Sequence, residues 1–229
     1  MLYDKRISLD PRLSMIAEMV GTCISCADIG SDHGRLGAFL LQNRQCSRIA
    51  LTDISAPSLD KARKLIALLG LEEKTDFNVG NGALALKSPA ETVVIAGMGG
   101  ETIAEIIEGS AGRLKGSRLI LQPNVAGPEL RRRMNACGWR ITREKLARDG
   151  RRIYLIIEAV EGKQSLTDVQ AQVGPVLLDE RPELLKDYAA FRLRVAKKAL
   201  DGAQHGSDEA VIAALKKEIV IWEDVDACL

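Results

Sequence analysis

The stretch TCISCADIGSDHGRLGAFLLQN, residues 22–43, decides the fold. It opens with an apolar run, passes through an acidic turn that contains Gly30 and Gly34, and ends in residues at helical spacing. This order predicts a buried strand, a tight turn and a helix. Such a turn presents the free N–H groups at the start of a helix, which favours ligand binding there.

Strand-like and helix-like runs alternate on both sides of this unit. Short apolar runs predict five strands, at residues 22–29, 47–54, 74–80, 91–100 and 117–123. Helical spacing predicts the intervening helices, at residues 9–20, 34–43, 55–70, 102–110 and 126–138. Because strands that alternate with helices form parallel sheets with right-handed crossovers, this region predicts a doubly wound α/β domain.

Two further strand-like runs follow with no helix between them. Residues 139–148 and 151–161 are separated only by Asp149-Gly150, which predicts an antiparallel hairpin. The hairpin adds one antiparallel strand to a mostly parallel sheet. That combination is typical of the Rossmann-like sheet of S-adenosylmethionine-dependent methyltransferases.

From about Lys163 the pattern becomes helical. Two long amphipathic helices joined by a polar, glycine-containing segment predict an antiparallel, coiled-coil-like pair. The predicted apolar stripes are Leu184, Tyr188, Phe191, Val195 and Ala199 on the first helix, and Val211, Leu215, Trp222 and Val225 on the second. The expected domains are a Rossmann-like domain at residues 1–162 and a helical C-terminal domain at residues 163–229.

Composition argues against a membrane or metal protein. No apolar run approaches the roughly 20 residues of a membrane span, and the first ten residues lack the apolar part of a signal peptide. We therefore expect a cytoplasmic protein. Cys23 and Cys26 lie three apart on a predicted strand, which would place their thiols on opposite faces. With no second such pair and only two histidines, we expect no metal site.

The net charge of +1 conceals an uneven distribution. Residues 113–152 carry twelve Lys and Arg against three Asp and Glu, whereas residues 161–229 carry nine against thirteen. The basic stretch includes the run Arg131, Arg132 and Arg133. It fits a solvated helix face as well as a surface that binds nucleic-acid phosphates, and composition leaves both interpretations open.

Four loops follow the predicted parallel strands, at the sheet edge where ligands bind. The first is not GxGxxG and fits a pyrophosphate poorly, whereas Asp28 could meet the ammonium group of a phosphate-free cofactor and Gly30 allows close approach of the backbone. Asp53 could accept both ribose hydroxyls of any adenosine cofactor. Asn81 beside Gly82 could either meet an adenine edge or cap a helix.

The last two loops are AGMGG, residues 96–100, and LQPN, residues 121–124. The glycines of the first leave backbone groups exposed beside the reactive end of a cofactor. Gln122 and Asn124 can face the same cavity from the second, on a turn that Pro123 stiffens.

The segments ADIGSDH, GNGALAL, IAGMGG, RLILQPN and DGRRIYLIIEAV occur in this order and resemble the bacterial TrmK family of tRNA (adenine-N1)-methyltransferases. The likeness extends over nearly the whole chain. It implies S-adenosyl-L-methionine as methyl donor and methylation of an adenosine in the D-arm region of tRNA, position twenty-two in the family. Two motifs differ: the family usually has GDG around the position of Asn81, and Ala-Tyr where this chain has Gly34-Arg35.

The resemblance and the loops together predict the functional residues. The expected catalytic residues are Asp32, which would stabilise positive charge on the methylated base or accept a proton from N6, and Asn124, which would orient the base. Asp32 could instead bind only loop N–H groups. The expected cofactor-binding residues are Asp28, Gly30, Ser31, His33, Asp53, Ile54, Asn81, Gly82, Ala96, Gly97 and Met98.

The basic residues give the expected RNA contacts. A cleft that holds one nucleoside cannot identify a tRNA, so recognition must involve surface outside it. The expected contacts are Arg131, Arg132, Arg133, Arg192, Arg194, Lys197 and Lys198. Two alternatives remain from the sequence, a small-molecule methyltransferase and a non-catalytic RNA-binding protein that retains the fold.

Overall fold

The computed structural model describes residues 6–203 and 208–229. Its contacts divide the chain into two compact units, which adjoin in sequence between Ser165 and Leu166. The first unit contains the sheet, and the second consists of helices.

The first unit alternates strands with helices up to a final hairpin. Its strands are β1 (Cys23–Ile29), β2 (Cys46–Asp53), β3 (Thr75–Val79), β4 (Thr92–Met98), β5 (Arg118–Pro123), β6 (Trp139–Asp149) and β7 (Arg152–Glu161). Its α-helices are α1 (Pro11–Val20), α2 (Arg35–Gln42), α3 (Ala56–Leu69), α4 (Gly100–Gly109), α5 (Ala111–Leu114) and α6 (Gly127–Ala136).

The strands form one sheet in the order β3-β2-β1-β4-β5-β7-β6. Neighbours from β3 to β5 pair in parallel, whereas β7 pairs antiparallel with both β5 and β6. Within the described residues, β7 is therefore the one strand that runs against the others. The mostly parallel Rossmann-like sheet with one antiparallel strand, predicted from the alternation and the hairpin, is confirmed.

Local sequence signals fix several helix ends. The Asp10 side chain accepts a hydrogen bond from the Leu13 N–H, and Pro11 is the first residue of α1. Ser55 caps α3 in the same way, and Gly70 ends that helix in the left-handed conformation. These caps determine where each loop begins, which in turn positions the residues of the site.

The thiols of the first unit depart from the sequence expectation. Cys23, Cys26 and Cys46 are buried and unbridged, as expected. Cys23 and Cys26 do not face opposite ways, because both pack in the same core cluster, together with Cys46. The neighbouring Cys26 thiol lowers the pKa of Cys23 to about 7, whereas the Cys23 thiol and burial raise the pKa of Cys26. Burial at the start of β1 accordingly does not follow a strict alternation.

The second unit contains α7 (Asp168–Val173), α8 (Pro175–Glu180), α9 (Leu184–Ala203) and α10 (Glu209–Ala227). The two long helices pack on each other through an edge-to-face contact of Tyr188 and Trp222, whose ring centroids lie 5.7 Å apart. The predicted stripe on α9 is wrong in its second half. Phe191 and Val195 are exposed, and the helix instead buries small residues such as Ala196. Small residues allow close approach of the two helix backbones, so the aromatic pair marks only part of the contact.

Candidate functional site

The candidate site lies where the order of the strands reverses. The chain passes from β1 outward to β2 and β3, returns to β4 on the other side of β1, and continues to β5. In open α/β sheets the crevice at the carboxyl ends of such strands is the usual ligand site. A cavity of about 590 Å³ opens there.

Three segments of the first unit line this cavity: the start of α1, the loop after β1 with the beginning of α2, and the end of β4. The lining residues are Asp10, Arg12, Leu13, Asp28, Gly30, Ser31, Asp32, His33, Arg35, Leu36, Ala96 and Gly97. The structure thus brings seven of the sequence-predicted site residues to one cavity. Arg12 and Asp10, which the sequence analysis did not select, lie among them.

The loop after β1 has an unusual backbone that holds it against β2. Gly30 and Ser31 both donate to the Thr52 carbonyl, at 2.8 and 3.0 Å. Gly34 has a φ of +66°, and a Cβ there would lie 2.9 Å from the Cβ of Ala62. Asp32 has a φ of +41°, a conformation that is costly for a residue other than glycine. Such strain is often retained where a side chain must point in a particular direction.

Asp53 joins the loops that follow β1 and β2. One carboxylate oxygen accepts from the Asp32 N–H at 3.3 Å, and the other accepts from the Ser55 N–H at 2.8 Å. Each oxygen retains a further lone pair, so the carboxylate can still accept hydroxyl groups from a ligand. Asp53 is therefore suited both to hold the loop after β1 in place and to bind a ligand.

Asp28 is a buried carboxyl group at the floor of the cavity. Burial raises its pKa to about 7, although the Arg12 guanidinium opposes the shift and the Asp53 carboxylate adds to it. A carboxyl group in this state is poised to ionise when a cationic ligand group comes near.

Asp32 and His33 form a side-chain pair in the cavity wall. An Asp32 carboxylate oxygen contacts Nδ1 of His33, and about half of each side chain is exposed. If Nδ1 carries the proton, Nε2 of His33 remains an acceptor. In that tautomer the pair offers a ligand two acceptors, the Asp32 carboxylate and Nε2 of His33, so the two residues form one unit of the site.

The remaining predicted residues lie around the cavity and do not line it. Ile54 is 77% exposed directly after Asp53. Asn81 is exposed and occupies the N-cap position of a short 3₁₀ turn, Gly82–Ala85, but its side chain makes no capping bond. Met98 lies against Gly30, where a Cβ would be 2.2 Å from the methionine methyl carbon.

The loop after β5 carries Asn124 and is tied to the loop after β4. The Asn124 N–H donates to the Met98 carbonyl at 2.8 Å, and its side-chain amide donates to the Gly97 carbonyl at 2.7 Å. Gln122 donates to the Asn124 side-chain oxygen at 3.1 Å and accepts from Arg12 at 2.8 Å. Asn124 thereby reaches the cavity through Gly97.

The chain as a whole matches a known protein family. The model of the family TrmK, tRNA (adenine(22)-N(1))-methyltransferase, matches residues 26–224. The chain belongs to the TrmK family.

Similar proteins support the same family and fold. A tRNA (adenine(22)-N(1))-methyltransferase of Bacillus subtilis is 28% identical over 183 residues, which are 76% of this chain and 77% of that protein. A Streptococcus agalactiae structure of the NADB-Rossmann superfamily matches with a TM-score of 0.87 and 27% identity, covering 96% of this chain and 98% of the other. A Streptococcus pneumoniae structure in complex with S-adenosyl-L-methionine matches with a TM-score of 0.86 and 26% identity, covering 96% and 100%.

The basic residues expected to contact RNA in this TrmK protein differ in their availability. Arg131 is fully buried and pairs with the buried Glu144 at 2.8 Å, so its selection as an RNA contact is wrong. The run RRRM lies on α6 with its first arginine turned inward, because Arg131 shares the buried face with Leu130 and Met134. Arg132 is exposed, and Arg133 pairs with Glu108.

The second unit of this TrmK protein shows the same division. Arg192 is largely buried, pairs with Glu218 at 2.9 Å and lies over the Trp222 ring, so it too is not available to a phosphate. Arg194, Lys197 and Lys198 are exposed on α9, and Lys197 pairs with Glu223.

Two features are absent from the part of the chain that the structure describes. No described helix is long and apolar enough to cross a membrane. Residues 6–203 and 208–229 contain no group of three or more His, Cys, Asp or Glu side chains placed to hold a metal ion.

Proposed function

We propose that this chain transfers the methyl group of S-adenosyl-L-methionine to N1 of adenine 22 in tRNA, in the cytoplasm. The observation that carries the proposal is the family match over residues 26–224. The cavity at the reversal of strand order supports it, because its volume lies within the range of small-molecule sites.

The residues of the cavity suit the proposed donor. The Ser31 hydroxyl is buried and has no hydrogen-bond partner among the described residues, so a ligand could satisfy it. Asp28 would pair with the donor ammonium, and Asp53 would accept the ribose hydroxyls. When bound, the donor supplies an electrophilic methyl group. The other proposed donor contacts are Gly30, His33, Ile54, Asn81, Gly82, Ala96, Gly97 and Met98.

Asn81 can replace the carboxylate that is usual in the family. Its amide oxygen can accept from adenine N6, and its amide nitrogen can donate to a ring nitrogen. Since the Asn81 side chain is exposed and makes no capping bond, it is available for this contact.

The proposed mechanism depends mainly on alignment. Adenine N1 already has a nucleophilic lone pair, so the protein must extrude the base and hold N1 in line with the methyl group in a water-poor cleft. Asp32 would stabilise the positive charge that develops on the ring, and its contact with His33 fixes the direction of the carboxylate. Asn124 would orient the base from the neighbouring loop.

The proposed RNA contacts are the exposed members of the basic set. Arg132, Arg194, Lys197 and Lys198 remain after the buried or paired arginines are removed. Their charges would bind tRNA phosphates without reading sequence.

Methyl transfer from isotopically labelled donor to tRNA transcripts tests the proposal. We expect label in a transcript with adenine at position 22, a block to primer extension at that position, and no label when guanine replaces the adenine. Label in neither transcript, or equal label in both, would contradict the proposed substrate.

A further inference from the structure

A chain of polar side chains connects the first turn of α1 to the loop after β5. Arg12 donates to Oε1 of Gln122 at 2.8 Å, and the Gly97 N–H donates to the same oxygen at 3.2 Å. Nε2 of Gln122 donates to Oδ1 of Asn124 at 3.1 Å, and Nδ2 of Asn124 donates to the Gly97 carbonyl at 2.7 Å. We call these three side chains, Arg12, Gln122 and Asn124, the relay.

The two ends of the relay fix the orientation of both amides. A guanidinium group and a backbone N–H can only donate, so the Gln122 oxygen must face them and its nitrogen must face Asn124. The Gly97 carbonyl can only accept, so the Asn124 nitrogen must face it. The two constraints agree, and neither amide can flip without placing like groups against each other.

Burial makes the hydrogen bonds of Gln122 difficult to replace. Gln122 is fully buried, so water cannot replace a lost partner. The Arg12 guanidinium also lies over the Tyr154 ring, whose centroid is 5.7 Å from the guanidinium carbon. Asn124, in contrast, is exposed at the end of β5 and can meet a substrate.

The relay leaves part of the hydrogen-bonding capacity of Asn124 unused. An asparagine amide has two lone pairs on oxygen and two N–H groups, and the relay uses one of each. One acceptor lone pair on Oδ1 and one N–H on Nδ2 are left. This pair matches N6–H and N7 of adenine, the combination that asparagine recognises in nucleic acids.

That recognition also fits the proposed chemistry. Contact with N6 and N7 occupies the Hoogsteen edge and leaves N1, on the Watson–Crick edge, open to the methyl group. Guanine has an acceptor, O6, where adenine has the N6 donor, so it would place an oxygen against Oδ1 of Asn124.

We propose that Arg12 and Gln122 set the adenine specificity of this chain by fixing the amide of Asn124, whose free acceptor and donor bind N6 and N7 of the target base. The inference rests on the proposed tRNA methylation. Asn124 is the group that touches the base, and Arg12 and Gln122 are positioning residues that act through it.

Gln122→Glu breaks one link while it preserves shape. The introduced carboxylate still accepts from Arg12 and Gly97 but cannot donate to Asn124, so it opposes the Asn124 oxygen. We expect the single-turnover methylation rate at saturating donor and tRNA to fall at least tenfold, with the dissociation constant of the donor unchanged within twofold. Gln164→Glu is the matched control, because Gln164 also accepts a backbone N–H, at 2.9 Å from Ile141, and lies outside the cavity.

A tRNA with 7-deazaadenine at position 22 tests the contact with N7 directly. This base lacks the N7 acceptor and also changes the basicity of N1, so the informative comparison is between proteins on the same two substrates. We expect the ratio of the adenine rate to the deaza rate to be several-fold higher for wild type than for Gln122→Glu or Arg12→Met. This difference corresponds to the loss of one hydrogen bond.

The outcomes separate the two proposals. A wild-type protein that does not methylate adenine 22 contradicts the proposed function. Two results would overturn the relay while the proposed function stands: wild-type activity with an unchanged rate in Gln122→Glu, or equal rate ratios in all three proteins. If Gln122→Glu does not fold, Arg12→Met and the deaza substrate decide the question. A loss in Arg12→Met that lies wholly in donor affinity would assign Arg12 to the donor and overturn the inference.

Discussion

At the scale of single residues, Asp28 combines a binding position with an unfavourable environment. Its side chain is almost fully buried, and the nearby cation Arg12 only partly compensates for the lost hydration. The raised pKa of about 7 means that the folded protein binds a proton that the unfolded chain releases near pH 4. The site is therefore prepared for a cationic ligand at a cost in stability.

The pKa of Asp28 has a definite consequence for stability. Between pH 4 and pH 7 the native state holds more protons than the unfolded state, so the contribution of Asp28 to stability falls as the pH rises. The stability difference between Asp28→Asn and wild type should therefore shift in favour of the variant by up to about 4 kcal/mol between pH 4 and pH 8. Urea unfolding of both proteins at the two pH values measures this shift. A difference that does not change with pH would show that Asp28 is already ionised in the folded protein.

Sequence reasoning recovered the residues that follow each strand but not the long-range partner of Asp28. Asp28, Gly30 and Asp53 stand at predictable positions because parallel strands end at one edge of the sheet. Arg12 is distant in sequence from Gln122, and one arginine in an amphipathic helix gives no periodic signal. Only the packing of α1 beside β5 and β7 shows that this arginine belongs to the cavity.

At the scale of elements, the buried pair Arg131–Glu144 joins α6 to β6. The sequence presents three consecutive arginines, and charge alone does not reveal which one points inward. Helical geometry separates only Arg132, which points away from Leu130 and Met134, because successive residues lie about 100° apart. Arg131 and Arg133 flank the buried face on either side, and only the packing shows that Arg131 is the buried one. A complementary signal is Glu144, which stands among Arg140, Arg143, Lys145 and Arg148 in the β6 segment.

Two neighbouring substitutions test this assignment. Arg131→Met removes the guanidinium that compensates the buried Glu144 carboxylate and should reduce the free energy of unfolding by about 3–5 kcal/mol. Arg132→Met should change stability by less than about 0.5 kcal/mol, because its side chain is exposed. It should weaken tRNA binding and lower the salt slope by about one. Urea unfolding and tRNA binding across a salt series measure both effects, and the reverse pattern would mean that Arg131 faces the RNA.

At the scale of the whole molecule, charge is separated more clearly than the net value of +1 indicates. The acidic excess of residues 161–229 includes carboxylates that pair with bases, such as Glu218 with Arg192 and Glu223 with Lys197. The predicted fold class followed from the alternation of strands and helices that precedes the β6–β7 hairpin. The stripe on α9 could not be predicted as well, because alanines and larger apolar residues occur on several sides of that helix, so apolar character alone does not show which side is buried.

We therefore expect that the location of a lysine on the second unit determines whether it binds tRNA, and that the net charge of the unit does not. Lys198 lies on α9 near Arg194, whereas Lys216 lies on α10, and both are exposed. Lys198→Glu and Lys216→Glu alter the net charge equally, so any long-range effect on tRNA is shared. If Lys198 contacts a tRNA phosphate, Lys198→Glu alone should reduce tRNA affinity by roughly tenfold at moderate salt. The salt dependence of binding should become weaker, and donor binding should not change. Equal losses of tRNA affinity in the two variants would mean that tRNA responds to the overall electrostatic potential of the second unit and does not contact this edge of α9.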